Sequence, residues 1–168
     1  LLTTPAAGKF YRSAGAEAEQ VHALHVAADG CLEWFPQETI VYSGALAKVR
    51  TQIRLEKGAR FIGWDIVCLG RPASGERFEA GAYQSNLEIW SAGRRVLTER
   101  ARIVGGENMP TAPWGLAGYP VFGTLVAACE DPVLANRLRD AARSVLSEPG
   151  PEAHVGVTRS EALLVLRY

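Results

Sequence analysis

The chain has 168 residues, enough for one sizeable domain with a packed core. It is 48% hydrophobic and 21% charged, with a formal net charge of zero and a pI near 7.0. This is ordinary globular composition and argues against a nucleic-acid binder, which carries a basic excess; no apolar run approaches the ~18 residues of a membrane span.

Leu1 to Ser13 begins with strand-like residues and bends at Pro5-Ala6-Ala7-Gly8. Gly8-Lys9 invites a phosphate-loop reading, which fails: Thr3 stands where the motif needs its first glycine, and Phe10 where it needs Ser or Thr. Gln20–Ala28 reads as a strand ending in an Asp29-Gly30 turn, and Cys31–Val41 as a second, interrupted at Pro36. Ala45–Glu56 alternates cleanly. Ala45, Ala47, Val49, Thr51, Ile53 and Leu55 share a packed face, with Lys48, Arg50, Gln52 and Arg54 on the wet one.

Ala59–Leu69 is apolar on both faces, with Phe61, Gly63, Asp65, Val67 and Leu69 on one and Ile62, Trp64, Ile66 and Cys68 on the other. It predicts a strand buried on both sides. Asp65 is then a carboxylate without a wet face, which must be paired, hydrogen-bonded or protonated. The run breaks at Gly70-Arg71-Pro72-Ala73-Ser74-Gly75. Ala82–Gly105 predicts a hairpin turning at Ser91–Arg94, which puts Glu99 on an apolar face with Leu97, Ala101 and Ile103.

The 16 residues from Gly105 to Pro120 hold four glycines and three prolines. They predict a long loop, either a partner surface carrying Trp114 and Tyr119 or a variable insertion. Val121–Cys129 reads as a strand. Residues 131–148 predict a helix, with Asp131 as cap, Pro132 in the first turn, apolar residues at helical spacing from Leu134, and Pro149-Gly150 as the stop. Short strands around Ala153–Val157 and Glu161–Tyr168 close the chain. Many strands and one helix, without regular βαβ alternation, predict a mainly β, largely antiparallel domain with an appended helix. The absence of an initial methionine or leader, and the apolar end, predict a single domain over 1–168 that is incomplete at both termini.

Familiar catalytic and metal patterns are missing. Ser74 lacks the flanking glycines of a nucleophile elbow. His22 and His25 fall on opposite faces of a strand and His154 stands alone, so no imidazole pair converges. Cys31, Cys68 and Cys129 form neither a disulfide framework nor a zinc motif, and fit a reducing, cytoplasmic setting. What remains is a set of polar groups in apolar surroundings: Asp65, Glu99, Lys9 and Thr3-Thr4. They are structural ion pairs, an acid–base pair of a hydrolase, or the lining of an interior polar path.

Four strings, LLTTPAAGKFYRS, LEWFPQETIVYSGA, GWDIVCLGRPASGE and LTERARI, occur in this order and spacing. Together they resemble the urease accessory protein UreD family, also called UreH, strongly over Leu1–Val104 and more weakly to Tyr168. The resemblance implies a non-enzymatic scaffold for nickel insertion, binding urease apoprotein on one side and the accessory proteins UreF and UreG, the latter a GTPase, on the other. It implies β-sheets stacked in a helical arrangement and a water-filled tunnel that carries nickel. Asp65 and Glu99 match residues placed along that tunnel, and Thr4 and Lys9 fall in a Thr-Thr-Pro segment near it. Isolated carboxylates suit such a conduit better than a His/Cys cage, because the ion must enter and leave; no tightly bound cofactor is expected, only transient nickel.

Overall fold

The structure, a computed structural model, describes residues 1–146, 155–160 and 162–168. Among these residues it is mainly β, with eleven strands in two sheets and one α-helix. The strands are β1 (Gly8–Phe10), β2 (Ala18–Val26), β3 (Cys31–Trp34), β4 (Thr39–Val41), β5 (Leu46–Leu55), β6 (Arg60–Leu69), β7 (Ala82–Ser91), β8 (Arg94–Val104), β9 (Val121–Ala128), β10 (Gly156–Ser160) and β11 (Leu163–Arg167); the helix is α1 (Pro132–Leu146). The first sheet has the order β1-β4-β6-β9-β11-β10, with β3 also paired to β6. The second has the order β2-β5-β7-β8.

Pairing is mixed rather than mainly antiparallel. β1–β4, β3–β6, β4–β6, β2–β5 and β5–β7 are parallel; β6–β9, β9–β11, β10–β11 and β7–β8 are antiparallel. The cause is the route of the chain. From β2 to β7 it passes back and forth between the sheets, so neighbours within one sheet are laid down in the same direction. This alternation between sheets is what makes those neighbours parallel. The hairpin β7–β8 is the local exception, closed by Ala92 (φ 46°) and Gly93 (φ 78°), the two left-handed residues of a turn whose twist matches its strands.

β6 corrects a second expectation. Its face carrying Phe61, Gly63, Val67 and Leu69 is buried, but Ile62, Ile66 and Cys68 on the other are only half-buried and Trp64 is exposed. The second sheet covers the inner face alone. On the outer face the Phe35 ring lies 4.4 Å from Trp64, whose indole N–H donates to the Pro36 carbonyl. The helix packs on β10 and β11 instead. Its N-terminus is capped as expected, with the Val133 N–H donating to Asp131 Oδ1 at 2.8 Å. The predicted end near Glu148, His154 and the first residues of the two last strands lie outside the described residues.

Between the sheets the apolar core is divided. One cluster holds Trp34, Ile53, Leu55, Phe61, Ile89 and Val126; the other holds Val41, Val49, Val67, Leu69, Tyr83 and Ile103. From the 105–120 loop, Met109 and Leu116 pack on the second cluster while Trp114 stays exposed. β5, β6 and β7 each contribute to both clusters, so what separates them lies at the middle of the strands.

Candidate functional site

The strand register identifies the divider. On the inner face of the first sheet, Asp65 of β6 pairs with Thr124 of β9, which pairs with Arg167 of β11. On the facing sheet, His22 of β2, Thr51 of β5, Leu87 of β7 and Glu99 of β8 form one row. Six of these seven side chains are polar or charged, and all seven line one cavity of about 220 Å³. A polar belt therefore crosses the sandwich at right angles to its strands, with an apolar cluster on either side and room for several waters.

Asp65 sits half-buried on the belt, and its carboxylate has no ion pair or hydrogen bond among the described residues. Burial pushes its pKa up to about 6, because removal from water disfavours the charged form. Its charge acts on the Tyr83 phenol, which is held to Ser85 and pushed well above its ordinary range by burial and then by the Asp65 charge. Backbone crowding fixes the strand beside it. A Cβ on Gly63 would lie 2.6 Å from the Trp34 carbonyl oxygen, so β3 and β6 reach this separation only with glycine there.

Glu99 is differently placed. Arg167 donates to it through both Nε, at 2.6 Å, and Nη2, at 2.5 Å, and both contacts fall on the same oxygen, Oε1. At the opposite end of the belt His22 is also engaged. The Gln20 side-chain amide donates to Nε2 at 2.7 Å, which leaves the proton on Nδ1 to be donated to Thr51 Oγ1 at 3.2 Å. Burial lowers the His22 pKa, so the ring is held neutral. His25, on the other face of β2, points outward to Glu56 at 3.0 Å.

Asp65 and Glu99 thus line the same cavity, while the other two expected residues lie off its wall. Lys9 is exposed on β1 at the edge of the first sheet. Thr4 shapes its own loop, accepting from the Gln37 N–H at 2.9 Å and donating to the Ala6 carbonyl at 3.2 Å. The belt also contains residues that sequence reading passed over. Thr51 was visible as the one polar residue on the packed face of its strand. Arg167 lies 68 positions from Glu99 and gave no signal. Among the described residues no three His, Cys, Asp or Glu side chains converge to hold a metal ion.

The turn after β6 has a structural explanation. Glu76 accepts from Arg71 Nε at 2.8 Å and Nη2 at 2.5 Å on Oε2, and from the Ser43 N–H at 2.9 Å on Oε1. The Arg71 guanidinium lies 4.9 Å over the Tyr42 ring. These contacts hold the Glu76 carboxyl below its ordinary range, the Ser43 N–H first among them. The turn pins β6 to the segment after β4, and so fixes where the inner face of β6 meets the belt.

A family model described as UreD urease accessory protein matches residues 1–168. The chain belongs to the UreD family. Its relatives include the urease accessory protein UreD of Dechloromonas aromatica, 45% identical over 168 residues, 99% of this chain and 58% of the relative. That of Pseudomonas fluorescens is 46% identical over 167 residues, 99% of this chain and 57% of the relative. That of Nitrosococcus oceani is 41% identical over 167 residues, 99% and 54%. This UreD-family chain therefore spans little more than half the length of the curated relatives it matches. Among its described residues no helix is long and apolar enough to cross a membrane.

Proposed function

We propose that the chain is the larger part of a urease maturation scaffold that carries nickel along the polar belt. Asp65 and Glu99 act as its anionic stations. The scaffold joins urease apoprotein to the accessory proteins UreF and UreG in the cytoplasm, takes nickel as transient cargo rather than as a resident cofactor, and catalyses no reaction itself. Family membership supports the link to urease, since the relatives are named as urease accessory proteins.

The observation that carries the path is Asp65. Evolution of a stable sandwich has no use for an unpaired carboxylate on the inner face of a central strand, where it costs free energy. A conduit does: an oxygen ligand without a resident cation attracts a dication, and a lone one releases it. Threonine hydroxyls on both sheets and space for water supply the rest of a hydrated passage. Thr4 and Lys9, off the wall of this cavity, belong in this reading to the approach to it.

The test is urease activation in cells or with purified components, using the whole protein bearing Asp65→Asn together with Glu99→Gln. Activation falls at least about tenfold at limiting nickel, which corresponds to about 1.4 kcal/mol of lost attraction for the ion. Co-purification with urease and UreF stays intact. Full activation by the double variant would remove the path and leave the scaffold standing.

A further inference from the structure

The two carboxylates of the belt are not equivalent. Among the described residues Asp65 has no counter-cation, whereas Glu99 already holds one: the Arg167 guanidinium, fixed by two N–H contacts on a single oxygen. Arg167 is also half-exposed, on β11 against Thr124. It reaches Glu99 across the gap between the sheets, so this contact spans the cavity. Among the described residues nothing on the first sheet plays this part for Asp65.

We propose that Arg167 gates the belt: its guanidinium is the resident cation of Glu99, and a travelling divalent ion must displace it there. The inference rests on the path reading above and adds to it an order of events. Asp65 is the station open at rest. Glu99 becomes a ligand only when Arg167 swings away, which the free Oε2 and the half-exposed arginine side chain allow. The attraction of a doubly charged ion to a carboxylate exceeds that of a guanidinium at equal distance, so an arriving ion can drive the exchange, and the returning arginine helps to expel it. Arg167 is in this sense a positioning residue, acting on the cargo through Glu99.

Nickel(II) titrated into the whole protein, by calorimetry or equilibrium dialysis, tests it. Arg167→Gln should tighten nickel binding by about fivefold, the factor that loss of one competing half-exposed ion pair corresponds to. Adding Glu99→Gln to that variant should erase the gain, and Arg167→Lys should restore wild-type binding. A merely structural arginine would lower the melting temperature and could not raise affinity. Identical isotherms for the wild type and Arg167→Gln, whether measurable or flat, would overturn the gate. Should Arg167→Gln fail to fold, the single acid variants decide. Glu99→Gln should bind within about twofold of wild type, because its charge is already neutralised, while Asp65→Asn weakens binding about tenfold. Equal losses in the two would overturn the proposal. The binding isotherms judge the gate, and urease activation by Asp65→Asn with Glu99→Gln judges the path, so either can fail without the other.

Discussion

At neutral pH Asp65 is largely ionised in a place that favours its neutral form, with its pKa raised from 3.8 to about 6 by burial. The folded state therefore binds this proton more tightly than the unfolded chain. The stability that follows is fully present below about pH 3.8 and is lost as pH rises through about 6. Replacing the group with a neutral isostere removes the loss. Asp65→Asn should raise the unfolding free energy at pH 7.5 by about 1–3 kcal/mol, with the lower end favoured by water in the cavity. At pH 4 the variant and the wild type should converge. Denaturant melts at the two pH values measure this, and a variant less stable than wild type at pH 7.5 would mean that the carboxylate has a partner after all. A gain in stability combined with a loss of urease activation would mark Asp65 as a residue kept for function at the expense of the fold.

At the scale of elements, the parts legible in sequence were those whose signal is local. The alternation of Ala45–Glu56 identified β5 and its inner face, including Thr51. The glycine turn identified the β7–β8 hairpin, and Asp131 with Pro132 opened the helix at the right residue. The acids Asp65 and Glu99 stood out because each interrupts an apolar face, and both do line the cavity. What sequence could not give was pairing across distance. Which strands lie side by side depends on the passage between sheets, and no local pattern encodes that Thr124 falls between Asp65 and Arg167. The two-faced apolar pattern of β6 misled because it records hydrophobicity and not coverage. Close packing of β3 on β6 yields a prediction of its own. Gly63→Ala should cost about 1–3 kcal/mol by overpacking against the Trp34 carbonyl and the Phe61 ring, read as a lower denaturant midpoint with unchanged slope. A neutral effect would mean that β3 can give way.

At the scale of the molecule, the belt separates two apolar clusters that share the same strands. Neither cluster can assemble without positioning half of the other, so the sandwich is one cooperative unit with a wet seam. The threading of strands between the sheets has a kinetic consequence. Each parallel pair between β1 and β7 joins segments separated by a strand of the opposite sheet or by a long connection, and β6 waits for β9, some sixty residues later, to find its antiparallel neighbour. Loop closures of that length are entropic debts settled before any contact rewards them. The fold should thus be slow to reach, on the millisecond-to-second scale of non-local β-topologies or beyond. Pulsed hydrogen exchange during refolding should show β5, β6 and the β5-facing amides of β7 gaining protection together, after an early β7–β8 hairpin; protection of β5 well before β6, or the reverse, would contradict it. During that interval the edge of β6 that β9 later covers lies open. A newly made chain thus has a window in which a waiting partner competes with self-association, and assembly timed to synthesis becomes a property of the topology itself.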